Sequence, residues 1–271
     1  MKFSINHDFH CHSVLSDCCH DDNMTVETIY EWAKKDGIEE QCITDHLWDS
    51  SVPGASNWYE PQNIEHVKKS LPQLAALPKD GPRMYFGCET EYCGDGKLGL
   101  AREHFDDFDF VIIPPNHFHM VGFTRMESVD TEEKVAELFT RRLEEISRLD
   151  IPWHKVGIAH LNCTLLYRGG DYLNVLARMD EDRLKAVFRR LSSAGAGIEI
   201  NTDCFFGKGW AERKDDHLRL FRIARDEGCR FYIGSDAHAL RSLETRAERA
   251  REVADLLELT EEQRFRISER K

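Results

Sequence analysis

The sequence predicts an α/β barrel of about seven parallel strands, with a polar site at their carboxyl ends. Three observations carry this expectation. Short apolar runs at about 3–9, 40–44, 83–88, 109–113, 155–159, 196–200 and 230–234 alternate with amphipathic helical patterns, which is how parallel β/α units read. Those runs are continuous rather than alternating, as strands covered on both faces are. Nearly every run is followed at once by His, Asp, Glu or Asn, and only closure of the sheet brings so many strand ends to one place; an open sheet would leave them along a line.

The first run ends in His10-Cys11-His12. Side chains at i and i+2 of a strand share a face, so the two imidazoles project together. Thr25 is placed to cap a helix whose stripe is Val26, Ile29, Tyr30 and Ala33 and whose stop is Gly37. The second run ends in Asp45-His46, the third in Glu89 with Glu91 beyond it, and the fourth leads through Pro114-Pro115 to His117 and His119. Thr131 opens a helix with Val135, Leu138, Phe139, Leu143 and Ile146 on one face. The fifth run leads to His160. Asp180 caps a helix with Leu184, Val187, Phe188 and Leu191, and the sixth run ends in Asn201 and Asp203. A helix over about 214–227 stops at Gly228, and the seventh run ends in Asp236 and His238. Two further helices are expected, over about 241–258 and from Thr260 onward. The connections 47–60, with Trp48, Trp58 and Tyr59, and 114–130, with Phe118, Phe123 and Arg125, are long and follow strand ends, so both should overhang the site. Trp48 and Trp58 suit either stacking on a ligand or packing of the loop. The chain is expected to form one domain spanning residues 1–271.

Hydrophobic content of 41% with 31% charged residues is ordinary for a globular chain. The net charge of −13 disfavours long nucleic acid as a partner, because phosphate backbones are held by Lys and Arg. No apolar stretch reads as a signal peptide or a membrane span. The 9 cysteines contain no Cys-x-x-Cys pair, which argues for reduced thiols in the cytoplasm and against a zinc ribbon. Nothing in the exposed pattern names an oligomeric interface.

Of the 13 histidines, five stand at different strand ends. With Glu89 and Asp236 they form a nitrogen and oxygen donor set of the kind that zinc, manganese and iron take. Two or three close divalent ions clamp a phosphate and lower the pKa of a water to about 7. His66, His7, His104, His154 and His217 have no motif around them and read as structural or exposed.

The runs HCHSVLSD, ITDH, FGCE, IAH and GSDAH resemble the metal-binding motifs of the polymerase and histidinol phosphatase (PHP) family. IEINT, followed by a helix and FYIGSDAH, resembles the histidinol-phosphatase branch. The resemblance spans nearly the whole chain. It implies a distorted (β/α)7 TIM-like barrel, up to three metal ions and a place in histidine biosynthesis. By that resemblance His10, His12, Glu89 and Asp236 hold one ion. Glu89 bridges to a second, held also by His117 and His160. Asp17, His46 and His238 hold a third, with His20 in reserve. Asp45 orients a ligand. The departure is Cys18, which stands where histidinol phosphatases often carry a histidine. His119 is expected as a loop or substrate contact and Glu91 as a neighbour of the site.

The expected activity is hydrolysis of a phosphomonoester of a small metabolite, histidinol phosphate first, by attack of a metal-bound hydroxide, with Asp236 or His238 assisting the leaving oxygen. For the phosphate, Arg168 in the turn Tyr167-Arg168-Gly169-Gly170 is the first choice, ahead of Arg125, Lys208 and Arg213; a solvated surface charge is the alternative for each. Rival readings are a phosphodiesterase, nuclease or amidohydrolase using the same ions, and a metal-binding module without turnover.

Overall fold

The computed structural model describes residues 1–207 and 209–267. Seven parallel strands follow one another around the sheet in chain order: β1 (His7–Asp8), β2 (Glu40–Ile43), β3 (Arg83–Thr90), β4 (Phe110–Ile113), β5 (Val156–Ile158), β6 (Gly197–Asn201) and β7 (Arg230–Gly234). A short extra strand, His46–Leu47, pairs with the upper half of β3. The longest ladder sets β7 beside β6 from Arg230↔Gly197 to Gly234↔Asn201.

The seam between β7 and β1 is where the barrel is distorted. The run expected over 3–9 forms only a two-residue strand, because side chains take over part of the ladder. The Ile233 amide donates to Nε2 of His7 at 3.1 Å and the Ser235 amide to Oδ1 of Asp8 at 2.9 Å. Backbone bonds from Phe9 N to Ile233 O (2.8 Å) and from Asp236 N to His10 O (2.7 Å) complete the closure. Asp8 is fully buried and paired with Arg246 at 2.8 Å.

Five helices, α1 (Val26–Lys35), α2 (Glu132–Ile146), α3 (Glu181–Ala194), α4 (Lys214–Asp226) and α5 (Arg246–Leu256), lie where the apolar periodicity puts them. Thr25, Thr131 and Asp180 each accept the backbone N–H three residues on, as N-caps do. Two expectations near the end of the chain need correction. The helix expected over 241–258 breaks at Thr245 into Leu240–Glu244 and α5, and the break lets Arg246 turn inward to Asp8. The helix expected from Thr260 is a single 3-10 turn, Glu261–Gln263. Burial outcompetes its continuation: Phe265 donates its N–H to Phe231 O at 2.8 Å. Phe265 and Ile267 then enter the barrel interior with Phe9, Tyr85, Phe110, Ile112 and Tyr232. The interior is thus filled from the amino-terminal end of the strands, leaving the carboxyl ends for the site.

The two long connections pack on each other above those ends. Trp48 is buried and its indole N–H donates to Val52 O at 2.8 Å, so it packs the loop. Phe123 lies against Trp48 and Tyr59, with ring centroids 5.3 and 5.9 Å apart.

Candidate metal centre

The imidazoles after β1 converge as the i, i+2 spacing requires: Nε2 of His10 and Nε2 of His12 are 3.0 Å apart. Each is aimed by a partner on its other nitrogen. Nδ1 of His10 meets Glu199 Oε1 at 2.6 Å, and Nδ1 of His12 meets Ser16 Oγ at 2.9 Å. Asp45 accepts from Ser16 Oγ at 2.8 Å and from Ser13 Oγ and N at 2.7 Å, so it acts on His12 through Ser16.

Glu89, at the end of β3 and 1% exposed, is the hub. Its Oε2 is 3.1 Å from His46 and 3.5 Å from both His10 and His12, while Oε1 is 3.2 Å from His160 and 4.0 Å from His117. Asp236 Oδ1 is 3.3 Å from His10 and from His12, and its Oδ2 accepts from Asn201 at 3.1 Å. His117 is hydrogen-bonded to Glu91, which also accepts from Tyr59 at 2.9 Å. Nδ1 of His160 meets Asn116 Oδ1 at 3.0 Å. His160 and Asp236 both hold positive φ, 25° and 52°, a conformation that costs about 1–3 kcal/mol in a non-glycine residue and clusters at functional sites. The His160 amide is held there by Glu199 Oε2 at 2.6 Å.

Three groups of donor atoms emerge, each close enough to hold one ion: His10, His12 and Glu89; Glu89, His117 and His160; and His12, His46 and His238. They are fused through Glu89 and His12. The electrostatics suit cations. Burial alone would raise Glu89, yet the charge on His10 and the hydrogen bonds from His10 and His160 hold it well below the usual carboxylate range. Asp236 is held low in the same way, against burial, chiefly by His10. Conversely burial would lower His10, but Glu199, Asp236 and Glu89 hold it well above its ordinary value, and the hydrogen bond to Glu89 raises His160 to about 10. The cluster therefore gathers positive charge onto its imidazoles, and divalent ions would supply that charge and release the protons.

His238 is lowered to about 4 by burial and the nearby His12. Its Nδ1 lies 2.8 Å from the Asp236 carbonyl, an acceptor only, so Nδ1 carries the hydrogen and Nε2 keeps its lone pair. That is the form of a ligand. Asp236 and His238, the two residues expected to assist the leaving oxygen, both stand at the cluster.

Asp17 is not brought to the cluster. The turn closed by Ser16 N to Ser13 O (3.1 Å) and Cys19 N to Ser16 O (2.8 Å) faces Ser16 inward and leaves Asp17 exposed, its amide on Gln62. Cys18 instead lines the pocket over the cluster, a cavity of about 150 Å³ walled also by Trp58, Tyr59, His119, Met120 and Leu165. Trp58 thus faces the pocket, its ring edge-on to His46 at 5.1 Å. His119 is lowered to about 4 by burial and the charges of His117 and Arg168. Arg168 is exposed in the turn expected for it and makes no hydrogen bond or ion pair among the described residues. A second cleft of about 390 Å³ shares Cys18, Asp236 and His238 and is walled by His20, Asp21, Asp203 and Arg241.

The other arginines lie elsewhere. Arg213 is drawn off by Asp216 at 2.6 Å and by Asp171 at 2.5 Å. Arg125 binds Phe118 O at 2.8 Å and Val129 O, which turns it to the far side of its loop. Lys208 lies outside the described residues. His66, His104 and His7 are structural: His66 meets Leu15 O at 2.8 Å, His104 meets Asp49 at 2.6 Å, and His7 serves the barrel seam.

Sequence reasoning missed Glu199, Asn201, Asn116 and Ser16 as aiming residues. Glu199 left a signal: a carboxylate in the middle of the apolar strand Gly-Ile-Glu-Ile has to answer a buried partner. Asn201 left one too, as a polar residue ending the sixth run; Asn116 and Ser16 left none, since Ser and Asn in turns are ordinary.

Residues 8–203 match the profile of the PHP domain. A protein of Thermotoga maritima described as a probable histidinol-phosphatase is 25% identical over 232 residues, 85% of this chain and 83% of that one. A probable phosphatase of Aliivibrio fischeri is 23% identical over 232 residues, 85% and 77% of the two chains. Among solved structures, a histidinol phosphate phosphatase from Lactococcus lactis, complexed with zinc, L-histidinol and phosphate, superposes with a TM-score of 0.65 at 20% identity, covering 94% of each chain.

Proposed function

This chain belongs to the PHP domain family, and from that premise we propose that it is a metal-dependent phosphatase of small phosphorylated metabolites, with histidinol phosphate as the leading candidate. The observation that carries the reading is the joining of two donor groups through the two oxygens of Glu89, with His46 and His238 beside them, since ions that share a ligand act together on one phosphoryl group. The relatives described as phosphatases support the reaction class, and the one described as a probable histidinol-phosphatase supports the candidate.

His10, His12, Glu89 and Asp236 would hold one ion, and Glu89, His117 and His160 a second. A third would rest on His46 and His238, because the single Nε2 lone pair of His12 serves one ion only. Zinc, manganese and iron all fit this donor set. When bound, the ions supply a nucleophile from water at neutral pH and neutralise the phosphate oxygens.

The remaining work falls to the protein's own side chains. Glu199, Ser16, Glu91 and Asn116 fix the tautomer and angle of four imidazoles, which raises ligand basicity. Arg168, exposed, unengaged and close enough for its charge to lower His119, would supply the positive charge for a phosphate oxygen. Trp58, Met120 and Leu165 keep bulk water from the phosphoryl group. The organic part of the substrate lies in the neighbouring cleft, where Asp21 and Asp203 suit a cationic amine such as that of histidinol. The leaving oxygen takes its proton from water in that open cleft, beside His20.

The test is phosphate release from a panel of phosphorylated metabolites, histidinol phosphate included, by metal-loaded and then chelated protein. Rapid, chelator-sensitive release from one member is expected. Silence across the panel from protein with metal shown to be bound would refute the reading.

A further inference from the structure

On the far side of the loop that carries His117 lies a cavity of about 180 Å³, which shares no residue with the pocket over the metal cluster. Three guanidinium groups line it: Arg125, Arg141 and Arg142. Two carboxylates line it with them, Asp95 and Glu145, and Asp130 lies near Arg125 outside the lining. Glu145 is shared loosely, 3.6 Å from Arg141 and 3.7 Å from Arg142, and also accepts from Tyr92 at 3.2 Å. The cavity therefore carries an excess of positive charge. Arg142 is 7% exposed, and its Nε is buried with no hydrogen-bond partner. Its Nη1 is only loosely paired, 3.7 Å from Glu145, and makes no hydrogen bond among the described residues, so it is the donor for which an incoming oxyanion would supply an acceptor.

We propose that this cavity binds a phosphate-sized oxyanion at a site separate from the metal cluster and linked to it through Thr124. The link is a chain of hydrogen bonds. Arg142 Nη2 donates to Thr124 O at 3.0 Å, and the Thr124 hydroxyl donates to the carbonyl of His117. Arg125 Nε donates to Phe118 O at 2.8 Å, one residue further along. An anion that draws on Arg125 and Arg142 pulls on the backbone that positions His117, and by linkage an ion on His117 changes the anion's affinity by the same factor. The ligand is defined by charge and size: inorganic phosphate and the phosphate group of a metabolite both satisfy it.

The experiment is calorimetric titration of the metal-loaded full chain with inorganic phosphate, repeated with a phosphorylated metabolite. Two classes of phosphate site are expected, one of them lost in Arg142→Gln and weakened about tenfold in Arg141→Gln. Arg141 is exposed, so its replacement keeps the test valid should the buried change unfold the protein. If the cavity prefers the metabolite, that ligand will bind the second class more tightly than inorganic phosphate; equal affinities identify the free anion. A zinc titration with a competing chelator should shift when the second class is saturated; in Arg141→Gln the same shift should need about tenfold more phosphate, and in folded Arg142→Gln it should vanish. A single class of site, unchanged in both variants, would overturn the proposal. Because binding is read directly, the result stands whether or not the protein proves to be a phosphatase.

Discussion

Replacing Glu199 by glutamine should weaken metal binding about 10- to 100-fold while leaving the barrel folded. The two side chains have the same shape, so packing is spared, and the effect lies in the hydrogen bonds. Three donors converge on the carboxylate: Nδ1 of His10 on Oε1 at 2.6 Å, and the His160 amide and Asn201 Nδ2 on Oε2 at 2.6 and 3.3 Å. Glutamine offers one oxygen. Turned toward His160, it sets its NH2 against His10. That pairing requires His10 to accept on Nδ1 and carry its hydrogen on Nε2, which removes the lone pair aimed at the cluster. Turned toward His10, it sets NH2 against the His160 amide, which holds the positive φ of that residue. Either way one hydrogen bond to a charged group is lost from a buried site, worth about 1.5–3 kcal/mol, or roughly 10- to 150-fold in an equilibrium constant. The assay is zinc or manganese titration against a competing chelator, with thermal unfolding as the control for fold. Unaltered metal affinity in folded Glu199→Gln would refute the argument that this carboxylate sets the His10 tautomer.

Glu89→Ala should abolish turnover while largely sparing the fold, because Glu89 joins two donor groups; activity retained in the purified variant would exclude it as a bridging ligand. Arg168→Ala should raise KM for a phosphomonoester about tenfold with a smaller change in kcat, and steady-state kinetics that leave KM untouched would return Arg168 to the solvent. His7, fully buried, is held well below its ordinary value by burial and by the charges of Arg264 and Arg266. It stays neutral in the fold, whereas the unfolded chain takes up its proton below about pH 6.5. Stability should therefore fall as pH falls through that value, and His7 alone should contribute about 2 kcal/mol between pH 6.5 and 5. His7→Gln keeps an acceptor for the Ile233 amide, so urea unfolding at the two pH values should show that much less loss; an unchanged difference would show that His7 titrates normally.

Much of this protein is legible along the chain because it depends on local periodicity. Val135, Leu138, Phe139, Leu143 and Ile146 mark α2 at helical spacing, and Thr131 marks its start. The residues just past each strand end mark the site, since a parallel barrel leaves them one destination. His10, His12, His46, Glu89, His117, His160, Asp236 and His238 are all read this way, and all converge. What tertiary structure decided depends on partners far away in sequence. Glu199 reaches His10 across the barrel, and Asp8 and Arg246 meet at the closing seam. No local pattern encodes which strands become neighbours on closure. The same reason explains the misread residues. Thr260 has a helix cap and becomes one turn because Phe265 gains more by entering the barrel. Asp17 has a ligand's chemistry but faces solvent because the turn before it sends Ser16 inward. Arg213 has the charge to hold a phosphate, and Asp171 and Asp216 reach it first. Residue type and spacing determine what a side chain can do; the rotation of a turn and the nearest opposite charge decide whether it faces the site.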